Sequence, residues 1–272
     1  MVDHSSKRNI LSQTEHWESG KNENLTVKER ITKATVRGNI NLDISPRCTL
    51  MCPRCRRQDY IESGIPIPGH DLSMPEFKKI AKHFKRILFC GQVSDPVIHP
   101  KFHDFLEIIN LTRSEYYVDG ITVSTAASQR TILWYKKAFE LNPRALWRFG
   151  IDGLPHESCL YRINQDGEKL FEVMKMAVSM GIKVEWQYIV FSYNEDHIEE
   201  AKKMAIDNGI SFLTMYSSRW KGDDDPYQPS DEINFISNKY FKYGTNSKIQ
   251  KTKEIFPEET WLSESSLGPW AW

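Results

Sequence analysis

The chain has 272 residues, of which 40% are hydrophobic and 26% are charged, and its formal net charge is zero. This composition is that of a globular protein with a sizeable core, either one large α/β domain or two small ones. Zero net charge gives no bulk attraction to nucleic acid or to an anionic membrane. No run of about 18 apolar residues predicts a membrane span, and the first residues lack the apolar core of a signal peptide, so we predict a cytoplasmic protein.

Residues 1–36 are polar throughout and are predicted to form an N-terminal extension. From residue 37 a regular alternation of strand and helix patterns begins. Ser73 to Glu76 form a capping box that begins one helix, Gly181 and Gly209 end two others, and Asn194 is predicted to cap the last. The predicted strands cover residues 39–44, 86–90, 120–124, 146–151, 183–191 and 210–215, with helices between them.

Six strands alternating with helices predict right-handed crossovers and a mostly parallel sheet. Because the count falls short of eight, the predicted fold is a partial (β/α)6 TIM-like barrel over residues 37–216. Residues 217–272 are predicted to form a C-terminal extension that packs on the barrel, because Trp261, Trp270 and Trp272 are too apolar to remain in water. Ligands of such folds bind at the carboxyl ends of the strands.

Three of the five cysteines, Cys48, Cys52 and Cys55, form a Cys-x3-Cys-x2-Cys triplet directly after the first predicted strand. An odd number of cysteines, three of them within eight residues, is unsuited to a set of disulfides and is typical of a metal-binding loop. Three thiolates hold a 4Fe–4S cluster while leaving one iron open, since such a cluster normally takes four. The alternative is a closed zinc site completed by a histidine such as His70.

This spacing resembles the cluster loop of the radical S-adenosylmethionine superfamily. Over residues 39–216 the chain is similar to the branch that includes molybdenum-cofactor cyclases and SPASM-type peptide maturases. The resemblance implies one 4Fe–4S cluster on Cys48, Cys52 and Cys55. It also implies that an electron from a reductant such as flavodoxin or ferredoxin cleaves S-adenosylmethionine to a 5′-deoxyadenosyl radical, which abstracts hydrogen from a substrate. Cys90 and Cys159 are too few to ligate an auxiliary cluster.

The resemblance also implies a set of cofactor contacts, each at the end of a strand. Residues 90–96 stand where the family has a Gly-Gly-Glu segment, and residues 149–153 resemble its Ser-Ile-Asp-Gly segment, with Gly150 in place of the serine. An ordinary turn at 91–96, a helix cap at Asp152 and a core position for Met215 are the alternatives. The implied contacts are Gly91, Gln92, Asp95, Ser124, Thr125, Asp152, Gln187 and Met215.

The similarity to peptide maturases favours a peptide or protein side chain as the substrate. A nucleoside, nucleotide or nucleic-acid base is the alternative, to which a set of basic residues is suited: Arg54, Arg56, Arg57, Lys82, Lys85 and Arg86. A zinc- or cluster-stabilised binding module is the non-enzymatic alternative. Cys90 is predicted to pack in the core, and Cys159 is the candidate for a catalytic thiol.

Overall fold

The computed structural model describes residues 37–111, 118, 120–216, 220–222, 224–230 and 239–241. The N-terminal extension and the three tryptophans of the C-terminal extension lie outside these residues. The described strands are β1 Arg37–Leu42, β2 Phe84–Phe89, β3 Gly120–Thr125, β4 Leu146–Gly150, β5 Lys183–Val190, β6 Ser211–Tyr216 and β7 Lys239–Phe241. The described helices are α1 Arg56–Glu62, α2 Met74–Ala81, α3 Phe102–Leu111, α4 Ile132–Leu141, α5 Gly167–Ser179 and α6 Ile198–Asp207.

The strands form one sheet in the order of the chain, β1 to β7. Each pair from β1 to β6 is parallel, and β7 pairs with β6 antiparallel. Right-handed crossovers between sequential parallel strands place the connecting helices on one face. The open sheet of six alternating β/α units confirms the predicted partial barrel. Strand β7, which the sequence analysis did not predict, extends the sheet beyond β6.

Alternate residues of each strand point to opposite faces of the sheet. On the face that packs against the helices the side chains are apolar and buried, for example Phe89, Val123, Trp147 and Trp186. On the opposite face, here called the inner face, polar and charged residues are frequent: Asn41, Asp43, Ser124, Arg148, Glu185 and Gln187. The core therefore lies between sheet and helices, and the inner face is left for binding.

The helix ends test the capping residues that were predicted from the sequence. The Ser73–Glu76 capping box is present, with both reciprocal bonds formed, as predicted. Helix α4 begins after Thr131, whose hydroxyl accepts the Trp134 N–H at 3.1 Å. The prediction for Asn194 is wrong. Its side chain makes no helix cap and instead accepts the N–H of Phe191 at 2.8 Å, because it folds back on the end of β5.

Candidate cofactor site

The loop after β1 carries three free cysteines, Cys48, Cys52 and Cys55, each half-buried. The Cys55 N–H donates to the carbonyl of Cys52 at 3.0 Å, so these two residues share one tight turn. The N–H of Leu50 lies 3.5 Å from the Cys48 sulfur, a contact of the kind that stabilises a metal-bound thiolate. The donor set is thus three thiols within one ordered loop at the carboxyl end of the sheet.

The surroundings of the thiols disfavour free thiolates. Burial raises the pKa of Cys52 to about 12, although the positive charge of Arg162 opposes the rise. Burial, together with the carboxylate of Asp95, raises the pKa of Cys48 to about 11. In the metal-free loop these two thiols are therefore protonated at neutral pH, and a metal must displace their protons to bind.

The loop that follows β4 holds the middle of the cysteine loop. The Met51 N–H donates to the carbonyl of Ile163 at 3.1 Å, and the Asn164 side chain donates to the carbonyl of Thr49 at 3.3 Å. Gln129, after β3, bonds both the Thr49 hydroxyl and the Asn164 carbonyl. Neighbouring strand ends thus fix the backbone between Cys48 and Cys52.

The loop after β2 is anchored by an aspartate that the sequence analysis did not select. Asp43, at the end of β1, accepts the N–H groups of Gln92 at 2.8 Å and Val93 at 3.2 Å, and the hydroxyl of Ser94. At Gly91 an added Cβ would lie 1.5 Å from the Ser94 carbonyl oxygen. Only glycine therefore fits this turn, which brings the backbone of residues 91–94 close to the cysteine loop.

Asp95 and Thr125, both predicted cofactor contacts, are bonded to each other. The buried Asp95 carboxylate accepts the Thr125 hydroxyl at 2.7 Å and the N–H groups of Ala126 and Ala127 at 2.8 and 2.9 Å. It also accepts the Val97 N–H at 3.2 Å. This arrangement joins the loops after β2 and β3, so Asp95 is placed to position backbone. Ser124 lies instead on the inner face.

A buried ion pair stands at the end of β4. The Arg162 Nε atom is 2.7 Å from Asp152 Oδ2, and the Asp152 side chain is fully buried. Asp152 also accepts the Ile189 N–H at 2.9 Å. A Cβ added at Gly150 would lie 2.8 Å from Arg162 Nη2, so the place left by the absent serine is filled by the guanidinium. Arg162 was missed because nothing in the local sequence signals this contact.

The remaining predicted residues divide into two groups. Gln187 is the register partner of Gly150, and Met215 is that of Ile189, so both lie on the inner face near the Arg162–Asp152 pair. The exposed Cys159 instead turns its sulfur toward the carbonyl of His156, 3.5 Å away. The structure therefore brings Gln187 and Met215 toward the site, whereas Cys159 lies in a surface turn.

A cavity of about 330 Å³ lies beside the ends of β1 and β2. Cys90 lines it and is only half-buried, so the prediction that it packs in the core is wrong: the register of β2 places it on the inner face. The other lining residues are Asn41, Asp43, Ser45, Arg56, Tyr60, Pro68, Gly69, His70, Gln92 and Val93.

A second ion pair lies deeper on the inner face. Arg148 of β4 and Glu185 of β5 are direct register partners, and Arg148 Nη2 is 2.7 Å from Glu185 Oε2. The Glu185 side chain is 7% exposed and that of Arg148 is 26% exposed, so the arginine faces the open space. Arg148 precedes Gly150 by two residues in β4, which corresponds to about 6.6 Å along the strand, away from the end at which Arg162 contacts Gly150.

Within the described residues, no three His, Cys, Asp or Glu side chains are arranged to hold a single metal ion, and this holds for Cys48, Cys52 and Cys55 as for any other set. His70, the fourth zinc ligand considered above, lies 3.1 Å from Glu76 in the capping box of α2.

Among the described helices, none has the length and apolar character needed to cross a membrane.

No protein-family profile and no curated protein matches the sequence. Solved structures do match. SuiB of Streptococcus suis bound to S-adenosylmethionine superposes with a TM-score of 0.57 at 12% identity, over 76% of this chain and 47% of that one. Methylornithine synthase PylB gives 0.50 at 18% identity, over 78% and 60%. The enzyme anSMEcpe with bound AdoMet gives 0.53 at 14% identity, over 69% and 53%.

The chain spans about half the length of the solved chains it matches. At 12–18% identity, these matches show the fold alone. Two of these three solved structures, those of SuiB and anSMEcpe, contain bound S-adenosylmethionine. The chain therefore has the fold of these solved structures, an α/β fold built on parallel strands.

Proposed function

We propose that this protein is a radical S-adenosylmethionine enzyme that modifies a peptide or protein side chain. The observation that carries the proposal is the set of three free thiols in one loop at the carboxyl end of this sheet. Backbone and side-chain bonds from the loops after β3 and β4 hold that loop in place. When bound by the three thiolates, a 4Fe–4S cluster supplies the electron that splits S-adenosylmethionine into methionine and a 5′-deoxyadenosyl radical.

The donor set fits this group better than a structural zinc site. Three cysteines leave one coordination position of a cluster open to a substrate, whereas a structural zinc takes four protein ligands. The nearby histidine, His70, is engaged with Glu76. The buried guanidinium of Arg162 adds positive charge beside Cys52, which offsets part of the negative charge of bound thiolates. A reductant such as flavodoxin or ferredoxin would pass that electron to the cluster.

The residues at the strand ends take separate roles in this proposal. Gly91 and Gln92 present backbone, held by Asp43, to the amino end of S-adenosylmethionine, and Arg162 presents a cation to its carboxylate. Ser124 and Gln187 offer polar groups from the inner face, and Met215 offers an apolar surface. Asp95, Thr125 and Asp152 act by positioning these loops, because their polar atoms are already bonded to protein.

Two observations favour a peptide over a nucleotide. Solved structures with this fold contain peptides: SuiB with the precursor peptide SuiA, and anSMEcpe with the Cp18Cys peptide. In addition, two arginines of the nucleotide alternative are engaged with protein. Arg54 pairs with Asp225 at 2.6 Å, and Arg57 donates to the carbonyls of Pro46 and Val93. The inner face, with the Arg148–Glu185 pair, suits a polar side chain.

The proposal is tested under anaerobic conditions. The protein is reconstituted with iron and sulfide, reduced and mixed with S-adenosylmethionine, and 5′-deoxyadenosine is measured by mass spectrometry. Wild type is expected to form it, and the triple Cys48/Cys52/Cys55→Ala variant is expected to form none. Cys159→Ala, a cysteine removal outside the loop, serves as the matched control for iron and sulfide content. Bound zinc and no 5′-deoxyadenosine would contradict the proposal.

The substrate class is tested with mixtures. A pool of peptides and a pool of nucleosides and nucleotides are added separately to the reduced enzyme, and the yield of 5′-deoxyadenosine is compared with that of the enzyme alone. We expect the peptide pool to increase the yield. An increase with the nucleoside pool alone would instead assign the nucleotide substrate.

A further inference from the structure

Residues 224–230, here called the strap, follow β6 and contact the cysteine loop through one buried carboxylate. The Asp225 side chain is fully buried, and its Oδ2 atom is 2.6 Å from Arg54 Nε. The same carboxylate accepts the N–H of Lys221 at 2.7 Å and that of Tyr227 at 3.0 Å. Burial would raise the pKa of Asp225, but these hydrogen bonds lower it to about 2, so the group is an anion at neutral pH.

The strap is fixed to the barrel independently of Arg54. Ser192, just after β5, donates its N–H to the Tyr227 carbonyl at 3.1 Å and its hydroxyl to the Pro226 carbonyl at 2.6 Å. The Ser230 N–H donates to Glu195 at 2.7 Å. Asp225 is therefore presented by a segment that has its own attachments, so it can act as a fixed anchor for the cysteine loop.

The strap also packs on the loop that follows β4. The Tyr227 ring meets the Tyr161 ring edge to face at 5.2 Å, and Tyr161 stacks on Phe191 at 4.0 Å. Tyr161 immediately precedes the Arg162–Ile163 segment, which pairs with Asp152 and bonds the Met51 N–H. The strap thus contacts both the cysteine loop and the segment that holds it.

On the loop side, Arg54 lies between the second and third cysteines. Its guanidinium is bonded to Asp225 and lies over the Tyr227 ring, 5.3 Å from the centroid. Because Arg54 belongs to the turn closed by the Cys55–Cys52 hydrogen bond, fixing its side chain restrains the backbone that carries both sulfurs. With an arginine side chain only 15% exposed, this restraint depends on its charged partner.

We propose that Asp225 is a positioning residue for the cofactor site, which acts through Arg54 to hold Cys52 and Cys55 in the arrangement that retains a 4Fe–4S cluster. This inference rests on the proposed function. The strap is accordingly part of the cofactor site although it is about 170 residues away in sequence. Loss of the Asp225–Arg54 contact leaves all three cysteines present, but Cys52 and Cys55 are then held less firmly relative to Cys48.

The test measures retention of the cluster. Asp225→Asn keeps the size of the side chain and removes its charge. The matched control is Glu62→Gln, which removes the exposed partner that lies 3.6 Å from Lys221 of the neighbouring segment. After anaerobic reconstitution, iron transfer to a chelator is followed at a temperature well below unfolding. We expect transfer to be at least tenfold faster in Asp225→Asn and unchanged in Glu62→Gln.

Two further variants address coupling and folding. Arg54→Gln combined with Asp225→Asn is expected to release iron no faster than Asp225→Asn alone, because both changes break the same contact. Arg54→Lys, which keeps the charge but loses the planar fork, is expected to fold and to release iron at an intermediate rate. The electron paramagnetic resonance spectrum of the reduced cluster with S-adenosylmethionine is expected to broaden in Asp225→Asn, which a change in stability alone would not produce.

The outcomes separate the two proposals. If wild type forms 5′-deoxyadenosine and Asp225→Asn and Arg54→Lys both retain iron as wild type does, the positioning role is wrong and the proposed function stands. With Arg54→Gln also measured alone, iron-release effects of Asp225→Asn and Arg54→Gln that add in the double variant would show that the residues do not act through each other, and the inference would also be wrong. If wild type assembles no iron–sulfur cluster, both proposals fail.

Discussion

The two faces of the sheet differ in chemistry although the same strands form them. Strand β4 shows the contrast within four residues: Trp147 and Phe149 are fully buried against the helices, whereas Arg148 and Gly150 lie on the inner face. One face buries apolar area, which stabilises the fold, and the other holds charges that a ligand can reach. Substitutions on the two faces should therefore have separable effects, on unfolding for one and on ligand chemistry for the other.

The largest effect on unfolding is expected for Trp147→Ala. The indole contacts four rings, including Phe139 at 5.0 Å, and is fully buried. Its removal leaves a cavity and should lower the free energy of unfolding by about 3–5 kcal/mol. Leu133→Ala, at an exposed position of α4, is the matched control and should change it by less than about 0.5 kcal/mol. Chemical denaturation of the metal-free protein measures both, and equal effects would contradict the burial of Trp147 against the helices.

Gly150→Ser places a side chain on the inner face where the Arg162 guanidinium lies. Because Arg162 Nη2 would lie only 2.8 Å from the new Cβ, we expect the free energy of unfolding to fall by about 1–3 kcal/mol and S-adenosylmethionine to bind more weakly. When Gly150→Ser is introduced into the Arg162→Gln variant, it should lower the free energy of unfolding by less than it does in wild type. Equal costs in the two backgrounds would mean that the guanidinium does not fill this place.

Arg148→Gln tests the inner face without touching the cysteine loop. It removes the guanidinium opposite Glu185 and the positive charge available to a substrate. We expect 5′-deoxyadenosine formed without substrate to stay within about twofold of wild type. The increase caused by a peptide pool should fall about tenfold, which corresponds to about 1.4 kcal/mol. Arg144→Gln, at an exposed turn before β4, is the control; a loss in both variants would assign the effect to net charge.

The smallest effect is expected at a helix end. Thr131→Ala removes the hydroxyl that caps α4 and should lower the free energy of unfolding by about 1 kcal/mol, with no change in iron content. Thr131→Ser keeps the hydroxyl and should restore most of the loss. An altered iron content in Thr131→Ala would show that the stability of the helices and the chemistry of the inner face are coupled.

Much of the fold was predictable because its determinants are local. Alternating apolar residues predicted six strands, and the Ser73–Glu76 box and Gly181 correctly predicted a helix start and a helix end. The prediction for Asn194 was wrong because the same amide can bond a strand end as readily as a helix start. Strand β7 has only three residues and depends on pairing with β6, so no local pattern indicated it.

Of the candidate cofactor site, the spacing of Cys48, Cys52 and Cys55 predicted only that these three residues share one loop after β1, and their role as cluster ligands stays a prediction. Asp43, Arg162 and Asp225 were missed because their partners are 49 to 171 residues away or in irregular loops. The roles of the predicted contacts at Gln187 and Met215 remain predictions. Burial also changes the interpretation of charge. Arg54 was one of the basic residues assigned to the nucleotide alternative, and the fold pairs it with the buried carboxylate of Asp225.

The sheet follows the order of the chain, which has a consequence for its synthesis. Each strand finds its neighbour already made, so the barrel can assemble progressively on the ribosome. The cysteine loop emerges early, whereas the strap that contacts Arg54 emerges late, on the order of ten seconds afterwards at typical elongation rates. During that interval the thiols lack their final enclosure. If the proposed cluster is bound here, delivery of iron and sulfide is therefore expected to be a late event, completed after translation has passed residue 225.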